Sequence, residues 1–474
     1  ILFCYICNNR KFILAVHYLT DSFGLINKSH SIYKHLQLLA KIFSNINKIR
    51  QADINLNGLT VIAGTNDSGK STIGKILFSI IKALDNCKDN SRLIDDTIGK
   101  KLRSLYTNLS QFDDLYHTSL KSIIFSISYR NVLRELRDKN TKNSVLSRLS
   151  RLKDQLEQTD IKPFHRAVVN NLVSEIQELA TEEAAPNGIL KREMQAILEA
   201  EFVNSVCTHH TSSSRIFFSD ESGNENLQVT IQDNLIKEIE GGTGCFLEDV
   251  TLVESPLYLH LIDILSTART FNELKSMDKR LLGIRPLVNY HIKDMAEKLA
   301  SFKYVGMHTL FQESTDSDEI NHITGGYFSF DEDNNNIYWI KGEEKYQVVN
   351  VASGIKSFGV MQILKAVNAI NERKVLIWDE PENHLHPEWQ IRLAALLMEQ
   401  AKAGVPVLLT SHSPYFIQAI RYFADKMHMN SFVSYYMTDE QKDGTCVLSD
   451  CTDDLNKIFF KLAQPLNDII NLGL

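Results

Sequence analysis

The chain lacks any apolar run long enough to cross a bilayer, which takes roughly 20 consecutive residues. Its apolar stretches near the start, residues 1–7 and 12–19, are split by Asn8, Asn9, Arg10 and Lys11, and each falls short. No membrane partner is expected. An excess of positive charge is missing too: 51 Lys and Arg stand against 58 Asp and Glu, a formal net charge of −7. Counterion release therefore cannot hold nucleic acid over the whole surface, and any such contact has to be a local patch. Cysteine is sparse, with seven residues at positions 4, 7, 87, 207, 245, 446 and 451. That odd, scattered set fits no disulfide framework and points to a reducing, cytoplasmic compartment. Cys4 and Cys7 have metal-ligand spacing, but no second pair follows, so ordinary thiols are expected there. Methionine does not occur before Met194, and Ile stands at position 1, from which a trimmed or unusually started N-terminus is expected. Internal repeats, low-complexity tracts and a sustained heptad run are all absent.

What is present is a chain of 474 residues, 43% hydrophobic, enough for a large core and two to four domains. Residues 54–63 read as a hairpin whose second strand, 59–63, is buried on both faces. Helical periodicity then starts at Gly69 and runs through Ile73, Ile76, Leu77 and Ile80. From residue 91 to 307 the spacing is mainly helical, as in Leu133, Leu136, Leu146, Leu149, Leu152 and Leu156, with some β structure near 216–231. After a short hairpin around 331–336, helix and strand alternate to the end, the pattern of an α/β core with parallel strands. The expected division is an N-terminal part of the head at 1–90, a helical insert at 91–307 and a C-terminal part of the head at 308–474.

The chemistry concentrates in four segments. Gly64-Thr-Asn66-Asp-Ser68-Gly69-Lys70-Ser71 satisfies G-x-x-x-x-G-K-[ST] between a strand and a helix. Its glycines let backbone N–H groups converge on phosphate oxygens at a positive helix end. Lys70 reaches the β and γ phosphates as a point charge, Ser71 offers a hydroxyl to Mg2+, and Thr72 lies within reach of the α phosphate. ATP with Mg2+ is the expected ligand pair. The apolar strand 375–378 delivers Asp379 and Glu380 at its C-terminal end, Asp379 for the metal and Glu380 as a general base for the attacking water. Alone, that acidic pair fits helix capping ahead of Pro381 and Pro387 equally well. His412, after the strand 405–410, is placed to contact the γ phosphate or the water, although a lone strand-end histidine is more often structural. Ser353 and Gly354 open a helix, where Ser353 is a natural N-cap and the helix start also suits a phosphate, in another subunit.

Together these segments resemble the ABC-type ATPase heads of the SMC, RecF and OLD families: a Walker A at Gly64–Ser71, a Ser353-Gly354 signature 26 positions before Asp379, a Walker B and a switch histidine. Asp379-Glu-Pro-Glu-Asn-His-Leu-His-Pro387 with Ser411-His-Ser-Pro414 is most similar to stand-alone prokaryotic ATPases of that group, PtuA- or AriA-like, which serve in anti-phage defence beside a separate effector. The match covers about 54–82 and 327–436. It implies a P-loop α/β fold, ATP hydrolysis, a homodimer or higher homo-oligomer around nucleotide, and a nuclease or toxin partner. It also implies an insert between Walker A and the signature; Ser353 stands 283 positions after Lys70. Ile355 and Lys356 depart from the Leu-Ser-Gly-Gly-Gln signature, and Gln111 is the Q-loop candidate. OLD proteins carry a nuclease domain after the ATPase, whereas 62 residues follow His412 here, so such catalysis is expected on another polypeptide. The competing reading is a RecF-like repair ATPase that grips duplex DNA itself; a transporter motor fits the long insert poorly. His384 and His386 are expected to pack near the dimer interface rather than bind zinc, 241–244 to be no nucleotide loop, and 313–319 a solvated loop.

Overall fold

A computed structural model describes residues 38–471, apart from 57, 89, 113–114, 116–119, 126–128, 138–140, 183–186, 204, 209–210, 221–226, 243–246, 269, 271–286, 306–314 and 335. Cys4, Cys7 and the rest of the first 37 residues lie outside the described set, as do Thr243 and Gly244 of the glycine-rich stretch.

The chain opens with β1 (Leu38–Ile46), β2 (Ile49–Leu56) and β3 (Leu59–Ala63), then α1 (Lys70–Lys88). Helices follow: α2 (Asn90–Gln111), α3 (Leu120–Ile124), α4 (Tyr129–Arg137), α5 (Lys142–Gln158), α6 (Pro163–Glu182) and α7 (Gly188–Phe202). Next come β4 (Ser213–Asp220), β5 (Leu227–Gln232), β6 (Leu235–Glu240), β7 (Asp249–Val253), α8 (Ile262–Ser266), α9 (Tyr290–Ala300) and α10 (Thr315–Thr324). A small sheet of β8 (Tyr327–Asp331), β9 (Asn336–Lys341) and β10 (Glu344–Gln347) precedes the alternating part. That part runs α11 (Ser353–Ala366), β11 (Lys374–Asp379), α12 (Pro387–Lys402), β12 (Val407–Ser411), α13 (Pro414–Lys426), β13 (Val433–Glu440), β14 (Cys446–Asp450) and α14 (Asn456–Asn471).

The main sheet has eleven strands in the order β6-β5-β4-β1-β2-β14-β13-β3-β12-β11-β7. Its last five, β13 to β7, are mutually parallel and form the α/β core expected from the alternating pattern. Strand periodicity divides the interior in two. Leu59, Val61 and Ala63 of β3, with Leu376 and Trp378 of β11, join one apolar cluster; Ile62, Val375 and Ile377 point into the other. Helix α1 covers the second face through Ile73, Ile76, Leu77, Ile80 and Ile81, while α12 covers the first through Leu393, Leu396, Leu397 and Ala401. β3 is buried at every position, as a central parallel strand requires.

That centrality corrects the expected hairpin over 54–63. β2 pairs with β1 and β14, and β3 pairs with β12 and β13, so the two consecutive strands are not partners. Apolar faces call for packed layers above and below a strand and not for a particular partner at its edges, so the pattern of 59–63 does not choose between β2 and β12.

The span 91–307 is only partly a helical lobe. A third apolar cluster draws its buried residues entirely from 98–180, including Leu102, Leu105, Leu149, Leu152, Leu156, Val169 and Ile176. By contrast α7 belongs with the α1 face of the sheet, and β4 to β7 extend the sheet itself. Of the span 313–319 read as a solvated loop, residues 315–319 open α10 instead, and 313–314 lie outside the described residues. A ring of ion pairs fastens α9 to α1 and β7: Lys82 Nζ lies 2.8 Å from Asp249 Oδ1 and 2.7 Å from Asp294 Oδ1, and Lys298 Nζ lies 2.9 and 2.8 Å from their other oxygens. Because these groups are largely buried, removing one strands the charge of its partners, at a cost of about 3–5 kcal/mol. Among the described residues no helix is long and apolar enough to cross a membrane.

Helix α11 tests how tightly this packing is specified. A Cβ on Gly359 would meet the ring of the buried Phe328 at 2.2 Å. Gly359→Ala should therefore lower stability by about 1–3 kcal/mol despite alanine's better helix propensity. Urea titration of the two proteins checks this, and a midpoint at or above the wild-type value would show that the contact yields.

Candidate active site

Strands β3, β12, β11 and β7 are neighbours in the sheet and run in parallel, so their C-terminal ends deliver four segments to one edge. From β3 the chain enters the Gly64–Ser71 loop; from β12 it leaves through Ser411 and His412; from β11 through Asp379 and Glu380; from β7 through Glu254. The histidine strand thus stands between the strands carrying the lysine loop and the carboxylates.

The loop's geometry explains its residues. A Cβ at Gly64 would meet Thr438 Oγ1 at 2.0 Å, and Gly69 has φ +84, so both positions call for glycine. Asp67, at φ +63, is held by an ion pair with Lys48, and Asn66 is exposed at the loop tip. Ser68 turns its hydroxyl inward to Thr438 Oγ1 at 2.5 Å and Thr65 O at 2.7 Å. Its side chain braces the loop, which leaves its backbone N–H for a ligand. Thr72 follows Ser71 in the first turn of α1 and is half-buried.

Lys70 is nearly buried and donates to the carbonyls of Gly64 at 3.1 Å and Thr65 at 2.7 Å, with Glu380 Oε1 at 3.6 Å. Ser71 Oγ donates to Asp379 Oδ2 at 2.7 Å, while Thr410 Oγ1 donates to Asp379 Oδ1. Burial pushes the Asp379 carboxyl above the usual range even against those two hydrogen bonds. Glu380 behaves differently: burial works against its charge, but the Asn383 hydrogen bond and the nearby His412 and Lys70 hold it below the usual range. Its backbone sits at φ +48, pinned by N–H donation to Thr410 Oγ1 at 3.0 Å, and Asn383 Nδ2 donates to its Oε2 at 2.9 Å. His412 Nδ1 lies 3.2 Å from Glu380 Oε1 without hydrogen-bond alignment.

Lys70, Ser71, Asp379, Glu380 and His412 are therefore brought together as the sequence implies. Ser353 and Gly354 are not: the first turn of α11 rests on Trp389 and Leu385, which a Cβ on Gly354 would meet at 3.0 and 3.1 Å. Nor does Ser353 cap that helix. Ala352 holds the extended N-cap conformation and no side chain bonds the first amides, because Ser353 is already helical. Gln111 is the last residue of α2, whose buried residues belong to the 98–180 cluster, and its side chain is outside the described set. His384 and His386 are exposed, and His386 caps α12 by accepting from the Glu388 N–H at 3.3 Å. Sequence reasoning missed Thr410, Thr438, Glu382 and Asn383, which hold the named residues in place; Thr438 is 370 positions from Ser68, and no local pattern signals that contact.

The donor set suits a hard divalent cation. A hydroxyl and a desolvated carboxylate oxygen 2.7 Å apart are what Mg2+ takes from a protein when phosphates and water complete its shell. Among the described residues no group of three or more His, Cys, Asp or Glu side chains is placed to hold a metal ion by itself.

A family model described as "AAA ATPase domain" matches residues 44–417. The chain belongs to this family of ATPases. A curated relative, an uncharacterized protein MJ1542 of Methanocaldococcus jannaschii, is 25% identical over 273 residues, 54% of this chain and 30% of that protein. Among solved structures, the SMC head domain from Thermotoga maritima is similar with TM-score 0.36 and 9% identity, covering 87% of this chain and 98% of that one. The ADP conformation of MJ1267, an ATP-binding cassette of an ABC transporter, has TM-score 0.31 and 9% identity, covering 93% and 99%.

Beside Asp379 lies a largely buried charge network. Val253 pairs with Trp378, which sets Glu254 beside Asp379. Glu254 Oε2 accepts from Tyr258 OH at 2.8 Å and lies 3.1 Å from His291 Nε2; Lys75 of α1 is 3.9 Å from its other oxygen. His291, fully buried, sets its Nδ1 2.7 Å from Glu201 Oε2. Burial opposes a charged ring, yet the two carboxylates raise His291 to about 9, and the His291 contact above all lowers Glu254 to about 2.

Since the folded His291 pKa exceeds the unfolded value of about 6.5, its contribution to stability is complete below pH 6.5 and lost as pH rises through 9. Glu254, whose folded value is depressed, loses its contribution only as pH falls from 4.5 through 2. Thermal midpoints should thus decline between pH 6.5 and 9, and His291→Gln should flatten that decline. Equal slopes in both proteins would rule out a charged His291.

Proposed function

We propose that the chain is an ABC-type ATPase that binds ATP and Mg2+ at the Lys70 loop, hydrolyses ATP within a homodimer or higher homo-oligomer, and thereby controls a separate effector. One observation carries the reading. Lys70, Ser71, Asp379, Glu380 and His412, from three distant segments, stand within hydrogen-bond or ion-pair reach of one another at parallel strand ends.

In this reading Gly64, Asn66, Ser68, Gly69 and Thr72 cradle the phosphates, chiefly through backbone N–H groups at the start of α1. Lys70 swings from the carbonyls of Gly64 and Thr65 to the β and γ phosphates. Ser71 and Asp379 hold Mg2+, which neutralises charge on the phosphate oxygens. Glu380, kept ionised by Asn383 and Lys70, accepts a proton from the attacking water. His412 steadies the γ phosphate or that water. Ser353 and Gly354 serve the nucleotide of a second copy: α11 starts without a side-chain cap, so its first N–H groups remain available to an anion. The lobe over 98–180 has its own core and is the element through which nucleotide state reaches a nuclease or toxin. An anti-phage role rests on the likeness of residues 379–387 and 411–414 to the defence ATPases.

Lys70→Ala should abolish ATP binding. Glu380→Gln should keep binding, slow turnover by about 10²–10⁴-fold and accumulate a dimer with ATP. Nucleotide-binding titrations, phosphate release and size-exclusion chromatography measure all three, and wild-type turnover by the Glu380 variant would strip that residue of its role. Where a nuclease or toxin gene adjoins this one, co-expression of the two products should give ATP-dependent co-elution; separate elution in both nucleotide states counts against the effector.

A further inference from the structure

Two residues past Glu380, Glu382 is 3% exposed, and its hydrogen bonds go to residues 411–413. Its Oε1 gathers the strand end that carries the histidine: Ser411 Oγ donates to it at 2.6 Å, His412 N–H at 3.1 Å and Ser413 N–H at 3.2 Å. Ser413 in turn caps α13 through Phe416 N–H at 3.3 Å and donates to Gln390 Oε1 at 3.2 Å. The turn 411–413 is thereby fixed from both ends, and the imidazole projects from its middle. Its Nδ1 lies 3.2 Å from Glu380 Oε1 and 3.8 Å from Glu382 Oε1, the ring standing beside both carboxylates. Glu382 Oε2 is buried and makes no hydrogen bond. An isolated buried carboxylate is costly, so the group's place has to be explained by what its other oxygen does.

We propose that Glu382 is a positioning residue for ATP hydrolysis: by accepting the three bonds from Ser411, His412 and Ser413 it sets the His412 imidazole against Glu380. This rests on the ATPase reading above. Shape, not charge, carries the effect. The carbonyl oxygen of a glutamine accepts the same three bonds, whereas an aspartate keeps the charge but withdraws its oxygens by one methylene.

Steady-state ATP turnover of Glu382→Asp, Glu382→Gln, His412→Ala and the Glu382→Asp/His412→Ala pair separates these. Misplacing a reacting group by about 1 Å costs up to about 100-fold. Glu382→Asp should lower kcat about 10- to 100-fold with KM changed less than about threefold. Glu382→Gln should recover most of that loss, and the double variant should be no slower than His412→Ala alone. A purely structural role would not give this kcat-selective loss, glutamine recovery and non-additivity. Glu382→Asp at the wild-type rate, Glu382→Gln as slow as Glu382→Asp, or a fully additive double variant each overturns the assignment. Were the wild-type chain to show no Lys70-dependent turnover, the ATPase reading itself would fall; Lys70-dependent turnover with a fast Glu382→Asp removes Glu382 alone.

Discussion

One desolvated carboxylate ties the site together. Asp379 ends β11, takes a hydrogen bond from Ser71 at the start of α1 and another from Thr410 in β12. A carboxylate whose two oxygens are each held by a hydroxyl from a different element locks loop, strand and helix into one register. Burial raises its carboxyl above the usual range, so a positive partner that neutralises the charge is favoured there. Remove that carboxylate and the bonds that tie the start of α1 and the end of β12 to β11 go with it.

Around it, each neighbour has its own anchor. Thr410 spans Asp379 and the amide of Glu380; Asn383 holds the Glu380 carboxylate; Thr438 props the glycine loop from β13. On the far side, α9 presents His291, Asp294 and Lys298 along one face, at helical spacing. These meet Glu201, Glu254, Asp249 and Lys82, so α9 is joined to α1 and β7 by charge rather than by apolar packing alone. Buried ion pairs contribute little net stability, but they penalise any displaced geometry severely. Such a strut suits an element lying against a site whose residues must not drift.

The glycine loop, the acidic strand end and the histidine were legible in the amino-acid sequence because each is a local pattern with its own mechanical reason. Gly64 and Gly69 answer close approach and positive φ; the apolar strand 375–378 announces a buried element with polar residues at its exit. The alternation of helices and strands after residue 353 was equally readable, since periods of 3.6 and 2 are local too. Strand partners were not. The apolar pattern of 59–63 is the same whether β2 or β12 lies beside it, and only the assembled sheet chooses. Likewise the spacing over 188–202 says helix but does not say that α7 packs on the sheet face rather than in the lobe.

By itself, the sequence determined which chemical groups this protein has to work with and on which kind of element each sits. Tertiary structure alone decided who holds them: that Thr438 braces Ser68, that Glu382 gathers the His412 turn, and that Glu254 comes to lie beside Asp379. Those pairings join residues tens to hundreds of positions apart. A contact of that kind leaves no periodic trace along the chain, because its energy depends on distance in space and not on separation in sequence.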